Sequence, residues 1–181
     1  MNHRVKRLSN IKQVRELVAL HNQMWNSSPG IIDLLKNASD CFLLLNQENR
    51  LIGYAFVEED PQRGFVELQD VVVSTAYQHQ GGGEALMKAI MAKYPFIKLI
   101  ARAQNESLVN FYRNLDFQVE YLIENYYEIS QDGLRMSWRS PNRCMPYLIG
   151  FGNGTGKIKS VGNGPELSSE NLILIYSNEE M

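Results

Sequence analysis

Val71-Val72-Val73-Ser74-Thr75-Ala76-Tyr77-Gln78-His79-Gln80-Gly81-Gly82-Gly83-Glu84-Ala85-Leu86 is the stretch on which the fold turns. A β-branched run ends a strand, glycines make a sharp loop, and Leu86, Ala89 and Ile90 then recur at helical spacing. A strand–loop–helix passage of this kind gathers backbone N–H groups beside the positive end of a helix dipole, which predicts an anion site. Glycine also removes the Cβ that would hold a bulky phosphate away from the backbone. A plain connecting turn has the same composition, so the spacing must decide. The dinucleotide pattern GxGxxG fails, because Glu84-Ala85-Leu86 follow with no later glycine. The P-loop pattern fails too: Ile158 follows Gly156-Lys157, and Phe151 stands where its first glycine belongs.

Working outward, Cys41 to Leu45, Leu51 to Val57 and Phe65 to Val73 are β-rich runs separated by polar, turn-forming residues, which predicts an antiparallel meander. Before them, Val5 to Leu8 reads as a first strand, and Ser9 or Asn10 caps a helix with Ile11, Val14, Leu17 and Val18 on one face. A second, shorter helical run passes through Ile31, Ile32, Leu34 and Leu35. After the glycine loop, Tyr94-Pro95 ends the helix, and Phe96 to Ala103 is the next strand. Asn105 starts a helix with Leu108, Phe111, Tyr112 and Leu115 on a buried stripe, and Phe117 to Ile123 and Leu134 to Trp138 are the last strands of the set. The class is α/β, with a mixed, mostly antiparallel central sheet flanked by about four helices and a right-handed central crossover.

From about Pro141 the texture shifts to glycine and asparagine, so residues 141–181 are read as an extension of a domain spanning 1–140. Leu172 to Tyr176 has the composition of one more strand. The extension has three uses open to it: folding over a cleft, adding strands, or exchanging with a second subunit in a homodimer.

A chain of 181 residues with 44% hydrophobic and 21% charged residues can bury a core and fold alone. Its net charge of -2 offers little general attraction to phosphate backbones, so a nucleic-acid partner is not expected. No stretch reaches the roughly 18 apolar residues of a membrane span, and Met1 to Asn10 lacks the apolar core of a secretion signal, so a cytoplasmic location and no membrane partner are expected. Cys41 and Cys144 have neither disulfide-framework nor metal-site spacing, and His3, His21 and His79 share no ligand spacing, so no metal is expected.

Gln78-His79-Gln80-Gly81-Gly82-Gly83 resembles the Q/R-x-x-G-x-G/A motif of the GNAT N-acetyltransferase superfamily. Downstream, Asn105, Phe111-Tyr112 and Phe117 resemble that family's N-x-x-A-x-x-F/L-Y-x-x-x-G-F pattern, with Leu108 in place of a small residue and Asp116 in place of glycine. Aspartate tolerates the positive φ such a position favours better than most residues do. The resemblance runs from about Arg4 to Arg139 and implies an enzyme that transfers the acetyl group of acetyl-CoA, its cosubstrate, to a primary amine.

The same resemblance implies the roles of particular residues. Val71, Val72 and Val73 hold the pantetheine arm like an added strand, and the backbone of Gln78, His79, Gln80, Gly81, Gly82, Gly83 and Glu84 holds the diphosphate. Asn105 contacts the pantetheine, although its position also suits a helix N-cap. Tyr112 protonates the departing thiolate, which its neighbour Phe111 cannot do. Glu67 is the expected base for the amine; Asp70, three residues on, is expected on the opposite face of the strand. Trp25, Tyr54, Tyr126 and Tyr127 are candidates to line the acceptor site, and the acceptor is a small-molecule amine or a protein amine. The alternative of another class is a non-catalytic acyl-CoA-binding sensor or interaction module.

Overall fold

A computed structural model of the chain describes residues 3–24, 31, 35–36 and 38–141. The extension, Cys144, Trp25 and most of the second helical run lie outside the described residues, although Ile31, Leu35 and Lys36 are helical. The strands among the described residues are β1 (Arg4–Arg7), β2 (Asp40–Leu45), β3 (Leu51–Asp60), β4 (Phe65–Val73), β5 (Phe96–Arg102), β6 (Gln118–Glu128) and β7 (Gln131–Arg139). The α-helices with full ranges among the described residues are α1 (Ile11–Met24), α2 (Gly82–Lys93) and α3 (Glu106–Arg113). The strands form one seven-stranded sheet in the order β1-β2-β3-β4-β5-β7-β6. Only the β4–β5 pair is parallel, as a strand–loop–helix–strand passage requires.

Each face of the sheet has its own core. On one face, Leu86, Met87 and Ile90 of α2 and Val109 and Tyr112 of α3 pack against Leu44, Ala55, Val57, Leu68, Ile97 and Leu99. On the other, Leu17 and Leu20 of α1 pack against Leu43, Tyr54, Phe56 and Val72. The face of α1 differs from the sequence expectation. Ile11 is 74% exposed, whereas Gln13 and His21 are buried with Leu17 and Leu20. The N-cap explains Gln13: Asn10 Oδ1 accepts the Gln13 N–H at 3.1 Å, and Gln13 Oε1 reaches back to accept the Ser9 N–H at 2.8 Å, a reciprocal cap that turns the glutamine inward.

Two features of β4 position the site. Its pairing with β5 covers only Val66 with Ile97 and Glu67 with Lys98, after which the two strands part. Its pairing with β3 slips by one residue, with Val57 opposite Leu68 and Phe56 opposite Asp70, so Gln69 is a bulge. The bulge reverses the parity of every residue beyond it. Leu68 and Val71 therefore share the α2–α3 face, and Glu67 and Asp70 share the other. The expectation that these two carboxylates point to opposite faces is corrected; alternation by two does not carry through a bulge.

Candidate active site

Where β4 and β5 part, a cavity of about 500 Å³ opens on the α2–α3 face. Val71 and Val73 line one side, Asn105, Ser107, Leu108, Phe111 and Tyr112 the other, and Tyr77, Gln78, His79 and Gly81 to Glu84 one end. The loop at that end is a short 3₁₀ turn, Thr75–Tyr77, followed by an irregular descent into α2. His79 and Gly81 both take left-handed backbone angles, φ 58° and 81°. Alternation of this kind turns successive N–H groups into one concavity suited to an anion. From His79 to Glu84 the N–H groups make no hydrogen bond within the described residues, and the first helical bond runs from Ala85 N to the Gly81 carbonyl at 3.0 Å. His3 holds the loop from outside, its Nε2 lying 2.8 Å from the Gln80 carbonyl oxygen.

The glycines have separate reasons. Gly81 needs its left-handed angle and has open space around it, whereas a Cβ on Gly82 would come within 2.8 Å of Leu44 Cδ2, and one on Gly83 would touch the Phe111 ring at 3.4 Å. Close packing of helix on sheet thus accounts for Gly82, and the cavity wall for Gly83.

Asn105 caps its helix at the edge of the cavity. Its Oδ1 accepts the Leu108 N–H at 3.0 Å as the cap of α3, and the residue also lines the cavity. Asp116 adopts φ 65°, so aspartate fills the turn where the motif has glycine. Tyr112 is buried; desolvation, then the charge of Asp70, then Tyr127 push its pKa well above the usual phenol value. It therefore holds its proton throughout the neutral range. Glu84 lines the cavity, but its carboxylate pairs with Lys88 at 2.6 Å.

Not every expected residue faces this space. Val72 is buried on the α1 face, and Gln80 offers its side chain to the Ala76 carbonyl at 3.2 Å instead. Glu67 lies on the opposite side of the sheet, in a depression of about 540 Å³ with Glu58, Gln69, Ile100, Tyr126 and Arg135 in its wall. Both of its oxygens are occupied: Arg135 Nη1 and Nη2 donate to Oε1 and Oε2 at 2.6 and 2.7 Å. Of the aromatic candidates for the acceptor site, Tyr126 lines this depression, Tyr127 donates to the Ile100 carbonyl at 2.8 Å, and Tyr54 is fully buried. Tyr77 and Ser107 were not singled out from sequence; both flank motif positions, and that adjacency was the available signal. Among the described residues no group of three His, Cys, Asp or Glu side chains could hold a metal ion, and no helix is long and apolar enough to cross a membrane.

The chain resembles known proteins in sequence and in fold. The sequence model of the acetyltransferase (GNAT) family matches residues 11–117. An uncharacterized N-acetyltransferase of Methanocaldococcus jannaschii is 26% identical over 116 residues, 61% of this chain and 73% of that protein. Among solved structures, an alanine N-acetyltransferase of a ribosomal protein from Escherichia coli superposes with a TM-score of 0.65 at 20% identity, covering 83% of this chain and all (100%) of that one. An aminoglycoside 6'-N-acetyltransferase complexed with coenzyme A gives a TM-score of 0.65 at 12% identity over 78% of this chain and 99% of that one. At those identities the two solved structures speak to the fold.

Proposed function

Since the chain belongs to the acetyltransferase (GNAT) family and is thereby an acyltransferase, we propose that it moves the acetyl group of acetyl-CoA onto a primary amine by direct attack within one ternary complex. The observation that carries this reading is the parting of β4 and β5 beyond Glu67 and Lys98, which leaves a cavity with an open strand edge, a donor-rich loop and a phenol. An extended pantetheine arm suits the strand edge, since it can complete the hydrogen bonds that β5 does not make. The diphosphate suits the unpaired N–H groups from His79 to Glu84 at the start of α2.

In this reading a neutral amine attacks the thioester carbonyl, and an N–H of the open β4 edge steadies the oxyanion. Tyr112 presents its proton to the departing sulfur. Its raised pKa does not oppose this role, because the same desolvation raises the proton affinity of a thiolate leaving beside it. No covalent enzyme intermediate is needed; holding both reactants in one site supplies much of the rate.

The relatives include an enzyme named for a protein alanine and one named for an aminoglycoside, so the test spans both kinds of acceptor. The protein is incubated with acetyl-CoA and a panel of spermidine, an aminoglycoside, a lysine-containing peptide and an alanine-initiated peptide. Free thiol is followed and products are weighed by mass spectrometry. Amine-dependent thiol release with a matching acetylated product is expected. Binding of coenzyme A without thiol release on any member would leave the non-catalytic acyl-CoA-binding module instead.

A further inference from the structure

The Gly81 N–H is one of the donors that suit the diphosphate, yet glycine itself does little to keep that donor aimed. Gly81 has φ 81° and ψ 4°, the angles of the third residue of a type II turn, and rotation of the peptide unit before it gives the type I form. No atom of a more distant residue lies within 4 Å of the place its Cβ would take, so packing does not hold it. A residue this free lets the Gln80–Gly81 peptide turn over at small cost. An empty loop tolerates either state. A diphosphate tolerates one, because the flipped unit would present the Gln80 carbonyl oxygen to an anion.

A histidine from the far end of the sheet holds that unit in one state. The His3 Nε2 lies 2.8 Å from the Gln80 carbonyl oxygen, across 77 positions of sequence. A carbonyl oxygen can only accept, so Nε2 carries the proton and donates it. That carbonyl and the Gly81 N–H share one peptide plane, and no cis bond occurs among the described residues, so the two groups point in opposite directions. Drawing the oxygen toward His3 therefore aims the N–H away from it. The cavity wall agrees: Gly81 belongs to it and Gln80 does not. Strand register delivers the histidine. β1 sets Arg4 opposite Leu45 and Val5 opposite Leu44, and Leu44 is the residue on which Gly82 packs, so the residue before Arg4 arrives at the start of α2. Gln78 and Gln80 brace the loop differently. Their side chains donate to the Val73 and Ala76 carbonyls at 3.1 and 3.2 Å, and both bonds leave the Gln80 carbonyl to His3.

We propose that His3 is a positioning residue for coenzyme A, which holds the Gln80 carbonyl outward and so keeps the Gly81 N–H turned into the cavity for the diphosphate. This rests on the acetyl-transfer reading above. His3 does not line the cavity, so it acts through Gly81. Its influence is confined to the diphosphate end, and a thioester that lacks a diphosphate should not sense it.

The test compares the full-length wild type with His3→Ala and His3→Gln. Coenzyme A binding is read by calorimetry. Steady-state rates are measured with acetyl-CoA and with S-acetylpantetheine, which has the same thioester and arm but no diphosphate, using the best acceptor of the panel. His3→Ala is expected to weaken coenzyme A binding and raise KM for acetyl-CoA by about 2- to 12-fold, the range of one hydrogen bond, with kcat kept. Its kcat/KM for S-acetylpantetheine should match the wild type. His3→Gln, whose amide N–H can take the place of the imidazole donor, should recover most of the loss. His3→Ala binding coenzyme A as tightly as the wild type would overturn this inference alone. Equal losses on both thioesters would do the same, since general loosening of the fold gives that result, as would His3→Gln as weak as His3→Ala. Should the wild type bind coenzyme A but acetylate no amine, the calorimetric comparison of the three proteins decides. A wild type that gives no heat with coenzyme A would overturn the acetyl-transfer reading as well.

Discussion

On the α2–α3 face, the cavity beside Val71 and Val73 offers mainly backbone N–H groups, with the amides of Gln78 and Asn105 and the phenols of Tyr77 and Tyr112, and its single carboxylate, Glu84, is turned onto Lys88. On the α1 face, the depression beside Glu67 is walled by charged side chains drawn from β3, β4 and β7, and Glu67 and Arg135 meet there across the sheet. Backbone donors can be arranged by a dozen consecutive residues. Paired side chains need the whole sheet to bring them together. One side of the molecule thus presents main-chain donors, and the other paired charges.

The contrast can be broken most sharply at Tyr112. If the cavity side carries the leaving-group chemistry, Tyr112→Phe should cut turnover by about 10²–10⁴-fold and leave coenzyme A binding nearly intact, as read by steady-state rates beside calorimetry. Unchanged turnover would reduce the phenol to packing. On the other face, Arg135→Met strips Glu67 of both its hydrogen bonds while Glu67 is only 22% exposed. Removal of such charged hydrogen bonds is expected to cost about 1.5–3 kcal/mol before solvent screening lessens it, measured by urea denaturation with coenzyme A binding preserved. A smaller effect is expected at Gly81, where alanine meets open space but must adopt φ 81°. Strain of about 1–2 kcal/mol should appear as weaker coenzyme A binding or lower stability.

The gentlest test uses pH, and the two faces should answer with opposite signs. Asp40 is buried beneath α2; burial alone would raise its pKa, but hydrogen bonds from Lys93 and Arg7 hold it below the ordinary value. Its contribution is therefore present above its unfolded pKa and lost as pH falls through the folded one. Asp70 has a raised pKa, so its contribution is present below its unfolded pKa and lost as pH rises through the folded one. Melting curves across the acid range should lose slope in Asp40→Asn at the low end, and Asp70→Asn should remove a decline toward neutrality.

The same division explains what could be read from sequence. The meander, the glycine loop and the Asn105 to Phe117 segment are local, and their periodicity and motifs placed β2 to β5, α2 and α3 to within a residue or two at most ends. The positive φ of Asp116 was legible for the same reason. The bulge at Gln69 has no signature in the residues around it and appears only when β3 lies beside β4. That is why simple alternation along the strand misplaces the faces of Glu67 and Asp70, and why the Arg135 clamp on Glu67 has no signature in the sequence. The inward turn of Gln13 was hidden similarly, since an apolar stripe through Ile11 fits a helix until its cap fixes the rotation.

Titration calorimetry of the folded wild-type protein with coenzyme A, repeated with acetyl-CoA, bears most directly on the cavity's role. The account requires saturable heat with a stoichiometry of about one for each, as a single preformed site gives. Flat traces with both would contradict it, and the acyl-transfer mechanism built on that cavity would fall with them.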